Sequence, residues 1–248
     1  MAGHSKWANI KRRKGAQDAK RGKLFTRLLR EVTVAAREAG GDPDGNPRLR
    51  AAIQECKNNN CPNDTIDRAI KKGTGEIEGQ ILEEVTYEGY GPGGVAMLVE
   101  TMTDNRNRTV SEVRHLFSKH GGNLGQDGSV AYLFNRQGYF QVDPETMGEE
   151  DLMELALELE VEDISTDKGA FEIFTDPGRY LEIKEELATR DVAAEGQLAM
   201  IPTTSVELDE DKLPQVLRLV EAMEDLDDVQ NVWANFEADD ALLEAYSG

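Results

Sequence analysis

The side chains best suited to chemistry in this sequence are cations crowded into its N-terminal end. The first 30 residues carry ten Lys or Arg and a single acid, Asp18. A cation that contacts a phosphate releases condensed counterions, so such a cluster binds polyphosphate chains with an affinity that falls steeply as salt rises. Three other side chains of the segment, His4, Trp7 and Asn9, can stack on bases or hydrogen-bond to them. The pattern predicts contacts to nucleic acid.

The predicted contacts in this segment share either a positive charge or a base-reading group. They are His4, Lys6, Trp7, Asn9, Lys11, Arg12, Arg13, Lys14, Lys20, Arg21, Lys23, Arg27 and Arg30. A solvated tail, or an arm docked on the acidic part of the same chain, is the alternative interpretation. The prediction would fail if the basic end were fully neutralised by the chain's own acidic body.

Charge is divided unevenly along the chain. The net charge is −20, from 28 basic and 48 acidic residues. Residues 1–72 contain 17 basic and 8 acidic residues, a net of +9, whereas residues 73–248 contain 11 and 40, a net of −29. Because the Debye length is about 8 Å at physiological salt, distant acids do not cancel a local basic surface. The sequence therefore predicts a polyanion-binding end and a body that stays away from phosphate.

The elements that position these cations are predicted from periodicity. Residues 1–22 lack an apolar repeat and are predicted to form a flexible basic arm. Residues 23–39 repeat as a helix with one apolar face and a solvent-facing basic ridge opposite it. The ridge consists of Lys23, Arg27, Arg30 and Arg37. Helices opening at Asn46-Pro47 and Pro62-Asn63 complete a helical domain predicted for residues 23–78.

A second candidate phosphate site lies between a predicted strand and a predicted helix. Arg106 and Arg108 stand just before Thr109, which is predicted to cap that helix. A helix N-terminus favours anions, and two arginines beside it can hold a phosphate. The alternative is a turn in which Asp104 pairs with one of the arginines.

The rest of the chain alternates strands and helices. Residues 137–201 follow the order βαββαβ, the ferredoxin-like pattern, and are predicted to be inserted between residues 79–136 and 202–238, which together form one α/β domain. The predicted fold class is α+β: an N-terminal three-helix domain followed by two ferredoxin-like α/β domains, the third inserted in the second. Residues 129–134 are predicted to be a strand, and residues 239–248 an acidic tail.

Catalysis, metal binding and membrane insertion have little support in the sequence. We find no Ser/His/Asp, Cys/His or paired-carboxylate pattern suited to catalysis. The glycine loop 89–94 matches neither a Walker loop nor a dinucleotide fingerprint, and it is expected to be a hairpin turn. Cys56 and Cys61, predicted as a core thiol and a loop thiol, are too few for a zinc site. The apolar runs are too short for a membrane span. We expect a cytoplasmic protein that is not an enzyme and needs no cofactor or metal.

Five segments resemble the YebC/PmpR family, and the likeness runs along essentially the whole chain. They are MAGHSKWANIK (1–11), KLFTR (23–27), YEGYGPGG (87–94), TDNRNRT (103–109) and GGNLG (121–125). The resemblance implies a cytoplasmic three-domain protein, with a helical N-terminal domain and two α/β domains. It also implies nucleic-acid contacts at Gly3–Lys14, which adds Ser5 to the candidate residues, and in the 103–109 loop.

The resemblance leaves two functions open. Members of the family are described as probable transcriptional regulators that bind promoter DNA, and a DNA-binding regulator of gene expression is the first expectation. The alternative is a ribosome-associated translation factor that contacts ribosomal RNA and relieves stalling on difficult, proline-rich sequences. The basic arm and acidic body favour folded RNA, because the predicted ridge has few Asn or Gln side chains for reading bases. An enzyme such as a nuclease is the weakest hypothesis, and the sequence does not give the oligomeric state.

Overall fold

Three helices followed by two four-stranded sheets form the part of the chain that this computed structural model describes, residues 18–144, 146–166 and 171–247. The predicted α+β class is confirmed, including the insertion of the third unit into the second. Among the described residues, no helix has both the length and the apolar character needed to cross a bilayer.

The N-terminal bundle consists of α1 (Asp18–Ala39), α2 (Pro47–Asn58) and α3 (Asn63–Thr74). Helix α1 begins at Asp18, so the last residues of the predicted arm are helical. Helix α2 begins as expected, because the Asn46 side chain accepts a 3.0 Å hydrogen bond from the Leu49 amide and Pro47 occupies the first turn. The buried contacts between the helices come from Val32, Ala35, Ala36, Leu49, Ala52, Cys56, Cys61, Ile66 and Ala69.

The later elements alternate along the chain as predicted, with small shifts at their ends. The strands are β1 (Glu83–Tyr90), β2 (Ala96–Thr103), β3 (Asn123–Leu124), β4 (Phe134–Val142), β5 (Asp163–Ser165), β6 (Phe171–Thr175), β7 (Ala194–Pro202), β8 (Val206–Glu207), β9 (Val229–Ala234) and β10 (Phe236–Glu237). The helices are α4 (Arg106–Lys119), α5 (Glu149–Glu158), α6 (Tyr180–Thr189), α7 (Leu213–Glu224) and α8 (Asp240–Ser247).

The central sheet has the strand order β3-β1-β2-β9, and a short parallel pair, β8 with β10, lies beside it. Residues of α4 and α7 pack on one face of this sheet, where Phe117 and Leu217 are fully buried. The inserted sheet has the order β5-β6-β4-β7 with antiparallel pairs throughout. That order is the one expected of a ferredoxin-like unit, with α5 and α6 covering one face.

Two sequence predictions about this part are wrong. Residues 129–133 are not a strand but contain a short 3-10 turn at Ala131–Leu133, Phe134 begins β4, and β3 forms the edge of the central sheet instead. The Glu88 carboxylate accepts hydrogen bonds from the amides of Gly128, Val130 and Ala131, which removes donors that a strand needs for its ladder. The predicted acidic tail contains α8, whose Leu243 is fully buried in the central core.

The open face of the central sheet holds the other two units. Val34 of α1 packs with Leu82 and Met102 in a small buried cluster. On the side of the inserted unit, Leu98 and Trp233 share a core with residues of the inserted sheet. The helical bundle and the inserted unit therefore both pack on the central sheet.

Candidate nucleic-acid interface

Nine of the predicted contacts, the residues His4, Ser5, Lys6, Trp7, Asn9, Lys11, Arg12, Arg13 and Lys14, lie outside the described residues. Lys20 and Arg21 belong to the first turns of α1. The remaining five candidates are described with their side chains. Lys23, Arg27 and Arg30 contact the central domain, Arg108 pairs within that domain, and Arg106 is exposed.

The N-terminal half of the predicted ridge faces the central domain. Lys23 Nζ donates to the Asp225 carbonyl at 2.9 Å and lies 3.0 Å from its Oδ1. Arg27 Nη2 lies 3.4 Å from Asn231 Oδ1, and burial lowers the pKa of this guanidinium despite the nearby charge of Glu224. The prediction of a solvent-facing ridge is wrong for Arg27, because the side of α1 opposite the bundle packs there on a neighbouring domain, whereas the paired Lys23 is still exposed. Arg37, in the last turn of α1, is exposed.

Arg30 is the most heavily bonded member of the ridge. Its Nη1 donates to the Met102 carbonyl at 2.9 Å, to the Asp227 carbonyl at 2.5 Å and to Asp228 Oδ1 at 3.0 Å. Its side chain is one-fifth exposed. Arg30 is therefore an interdomain contact in this conformation.

Asp228 is the acceptor at the centre of this network. Thr103 and Thr109 donate their hydroxyls to its Oδ2 at 3.0 and 2.7 Å, and Arg108 donates Nη2 to the same oxygen at 2.6 Å. Burial alone would raise the pKa of Asp228, but these hydrogen bonds and the charge of Arg30 outweigh it and hold the pKa below its usual value. The carboxylate thus lies between Arg30 and Arg108, each of which was predicted to contact a phosphate.

The start of α4 differs from its prediction. Asn105, not Thr109, caps the helix, because its Oδ1 accepts from the Arg108 amide at 3.1 Å. Arg108 also pairs with Asp104 at 2.8 Å, which is the turn arrangement considered as the alternative. Arg106, by contrast, is 64% exposed and 3.8 Å from Glu83. Of the two arginines, Arg106 is the more exposed and has the more distant acidic partner.

The sequence reasoning did not single out the exposed cations of α2 and α3. On α2, Arg50, Gln54, Lys57 and Asn58 are all exposed, at the spacing i, i+4, i+7 and i+8 that places them on one side of a helix. Further exposed cations on α3 are Arg68, Lys71 and Lys72. The spacing of the four polar residues on α2 can be read from the sequence, and it is the signal by which this exposed face could have been predicted.

Arg48 has a different role from its neighbours on α2. It contacts Glu31 at 2.7 Å, Glu38 at 2.6 Å and Glu84 at 2.7 Å. The Arg48 hydrogen bond is the main reason that the pKa of Glu84 lies below its usual value. This cation ties the bundle to β1, and it does not add to the open positive surface.

Other candidate motifs have structural roles. The glycine loop 89–94 joins β1 to β2 as the predicted hairpin turn, with Gly93 and Gly94 at positive φ. Cys56 is a core thiol of α2 and Cys61 lies in the loop between α2 and α3, as predicted, and both are buried. Burial raises the pKa of Cys56 to about 12. Among the described residues, no group of three or more His, Cys, Asp or Glu is placed to hold a metal ion.

Comparisons with known proteins cover nearly the whole chain. Residues 5–76 match the family model described as "TACO1/YebC protein N-terminal domain", and residues 82–236 match "TACO1/YebC second and third domain". A protein of Syntrophus aciditrophicus (strain SB) named "Probable transcriptional regulatory protein" is 53% identical over 249 residues, with both chains fully covered. A protein of the same name from Shewanella oneidensis is 57% identical over 247 residues, 99% of each chain.

A solved structure has the same fold. The crystal structure of a conserved hypothetical protein, Aq1575 from Aquifex aeolicus, covers 90% of this chain and 93% of its own, with a TM-score of 0.81 and 50% sequence identity. The resemblance noted in the sequence is thus confirmed by two family models, by full-length relatives and by a shared fold. The chain belongs to the TACO1/YebC family.

Proposed function

We propose that this chain regulates gene expression by binding nucleic acid through its N-terminal arm and helices, with promoter DNA as the first candidate target. Relatives that are more than half identical over their full length carry the name of a probable transcriptional regulator. The proposed role is binding and not catalysis, and its setting is the cytoplasm.

The observation that carries this proposal is the exposed polar face of α2. Arg50 and Lys57 supply two cations, and Gln54 and Asn58 supply amides between and beside them. Arg and Lys pair with guanine edges or phosphates, and Gln and Asn pair with adenine edges. Gln54 Nε2 already donates to Asn58 Oδ1 at 2.9 Å, so the two amides are held together on the surface. A helix with this face supports readout of a nucleic acid, which the predicted ridge on α1 lacked.

The binding test compares two pairs of exposed cations. In the Arg50→Ala/Lys57→Ala variant, the slope of log K against log salt for a duplex promoter fragment should become shallower by about 1.8, since each phosphate contact contributes about 0.9. The matched control, Arg114→Ala/Lys119→Ala, removes two exposed cations from α4 of the acidic body and should leave the slope unchanged. Equal slopes for the wild type and both variants, by fluorescence anisotropy, would remove α2 from the interface.

A second candidate target, ribosomal RNA, is favoured by the charge division. The acidic body, with a net charge of −29, is repelled by a wide phosphate surface, whereas a narrow basic end can enter a folded RNA. Crosslinking in cells separates the two targets. Reads on promoter DNA alone would support transcriptional regulation, and reads on ribosomal RNA from the arm or α2 would support the translation role.

A further inference from the structure

A surface cavity lies where the helical bundle joins the central sheet. It has a volume of about 340 Å³ and is bounded by the ends of α1 and α3 and by the connecting residues 75–82. This volume is at the small end of the range of roughly 300–1,000 Å³ typical of small-molecule sites. The cavity is therefore large enough for a ligand the size of one nucleotide, and too small for a duplex.

The walls of the cavity are apolar on one side. Val34 and Leu82 are buried beneath it, in the cluster that anchors α1 to the central sheet. Ile81 stands at the rim with 74% of its surface exposed, the second most exposed large apolar side chain among those described. An isoleucine left in water beside a concave apolar floor provides a surface on which a flat ring can lie.

The mouth of the cavity carries positive charge. Arg37 and Lys72 both line it and are both exposed, and they come from the segment with a net charge of +9. Glu78 is the acid among the lining residues. Two cations facing one cavity favour an anionic group such as a phosphate at its entrance.

The connecting segment also offers polar backbone groups. Among the described residues, the amides of Glu78–Ile81 make no backbone hydrogen bond, because this stretch belongs to neither a helix nor a strand. Gly79 runs against the side chain of Lys72, where an added Cβ would come within 3.2 Å of its Cγ. Amide and carbonyl groups at the rim can pair with the edge of a base that has left its stack.

We propose that this cavity holds one nucleotide of an unpaired RNA strand, with the base against Ile81 and Leu82 and the phosphate between Arg37 and Lys72. The inference rests on the second target of the proposed function, RNA, and specifies how one nucleotide of it is bound. A free mononucleotide has the same chemistry, so the experiment distinguishes the free from the strand-bound form.

The test uses the full chain and a short single-stranded RNA that carries 2-aminopurine at one position. Binding should raise the 2-aminopurine emission, because the base leaves its neighbours to enter the cavity. Ile81→Ala should abolish that rise and weaken binding of the strand by about threefold to tenfold, while binding of the same RNA as a duplex stays within twofold. Ile81 is mostly exposed, so this variant should fold as the wild type does.

A second pair of variants separates the cavity from general electrostatics. Arg37→Ala/Lys72→Ala should weaken binding of the single strand more than the charge-matched Arg50→Ala/Lys57→Ala does. Equal losses in these two variants, together with an unchanged signal in Ile81→Ala, would overturn the proposal.

Titration with adenosine monophosphate tests the cavity separately from the binding of RNA. If the protein binds no RNA, Ile81-dependent binding of the mononucleotide would uphold a nucleotide site while removing RNA as a target of the proposed function. If neither the strand nor the mononucleotide responds to Ile81→Ala, the site is refuted even where RNA binding through α2 is retained.

Discussion

The guanidinium of Arg30 and the carboxylate of Asp228, 198 residues apart in sequence, lie 3.0 Å apart across the boundary between the helical bundle and the central domain. Arg108 reaches the same carboxylate from the start of α4. One carboxylate of the central domain therefore pairs with Arg30 across the boundary and with Arg108 within the domain, and the sequence assigned both arginines to phosphate. A phosphate competing for Arg30 and Arg108 must displace this internal carboxylate.

Removing the charge of Asp228 should weaken the contact between the helical bundle and the central domain and lower the free energy of unfolding. Asp228→Asn keeps the shape of the side chain but leaves Arg30 and Arg108 facing a neutral group. Breaking a buried pair costs about 3–5 kcal/mol, and we expect about 2–4 kcal/mol here because Arg108 is 43% exposed. Urea unfolding measures the loss.

The matched control for that change is Asp225→Asn. Asp225 pairs with Lys23 on the same boundary, but its side chain is 77% exposed, so the loss should stay below about 1 kcal/mol. If the two variants lose similar free energies of unfolding, burial of Asp228 does not determine how much this interdomain contact contributes to stability.

The two arginines of the 103–109 loop should respond differently to substitution. Arg106→Ala should weaken nucleic-acid binding severalfold and change the free energy of unfolding by less than about 0.5 kcal/mol, since Arg106 is exposed and its acidic neighbour lies 3.8 Å away. Arg108→Ala should lower the free energy of unfolding by about 1–3 kcal/mol, because it deprives the buried Asp228 of a donor. Anisotropy and urea unfolding on both variants check this, and a loss of stability confined to Arg106→Ala would contradict it.

Local patterns in the sequence predicted the elements well. The caps and prolines at Asn46 and Pro47, the apolar repeat of α1 and the βαββαβ order of the inserted unit are short-range features, and the structure has all of them. These depend on neighbours within a few residues, which a single sequence shows directly.

The predictions failed where distant residues decide the structure. Lys23, Arg27 and Arg30 lie on the polar side of α1, but no local pattern shows that residues 225–231 cover that side. Ser129–Phe134 has strand-like composition, yet a carboxylate from β1 takes its amides. The last residues are acidic, but Leu243 within them reaches the central core. Each failure is a long-range contact that overrides composition.

Glu88 should make the stability of the central domain sensitive to acid. Its carboxylate accepts from the amides of Gly128, Val130 and Ala131 at 2.6, 2.7 and 2.8 Å. Burial would raise its pKa, but these bonds outweigh burial and leave the pKa below its usual value. A lowered pKa in the folded state means that the stabilisation is complete above the pKa of the unfolded chain and is lost as pH falls through the folded-state pKa.

The measurement for Glu88 is the free energy of unfolding across the acid range. Glu88→Gln should cost about 1–3 kcal/mol at pH 7, where the wild-type carboxylate is ionised. The gap between the two proteins should narrow as the pH falls, because the wild type then loses the same charge. A gap that stays constant with pH would show that the lost stability comes from shape and not from ionisation.

Gly73 should be the glycine of the bundle that tolerates a methyl group least. It lies inside α3, where helix propensity alone would favour alanine by about 1 kcal/mol. A Cβ there would be 2.4 Å from the Thr33 carbonyl oxygen and 2.8 Å from the Ala36 Cβ of α1. Because the first of these is backbone, α1 and α3 must move apart, and overpacking of this kind costs about 1–3 kcal/mol. We expect Gly73→Ala to lower the melting temperature.

Gly22, inside α1, gives the matched comparison for Gly73. An added Cβ there would meet no atom of the described residues within 4 Å, so Gly22→Ala should raise stability by about 0.4–1 kcal/mol through the unfolded state. Thermal unfolding of the two single variants should therefore move the melting temperature in opposite directions. If both substitutions stabilise the protein, the close approach of α1 to α3 at Gly73 is not maintained in solution. The cavity bounded by the ends of these two helices would then be wider than the structure shows.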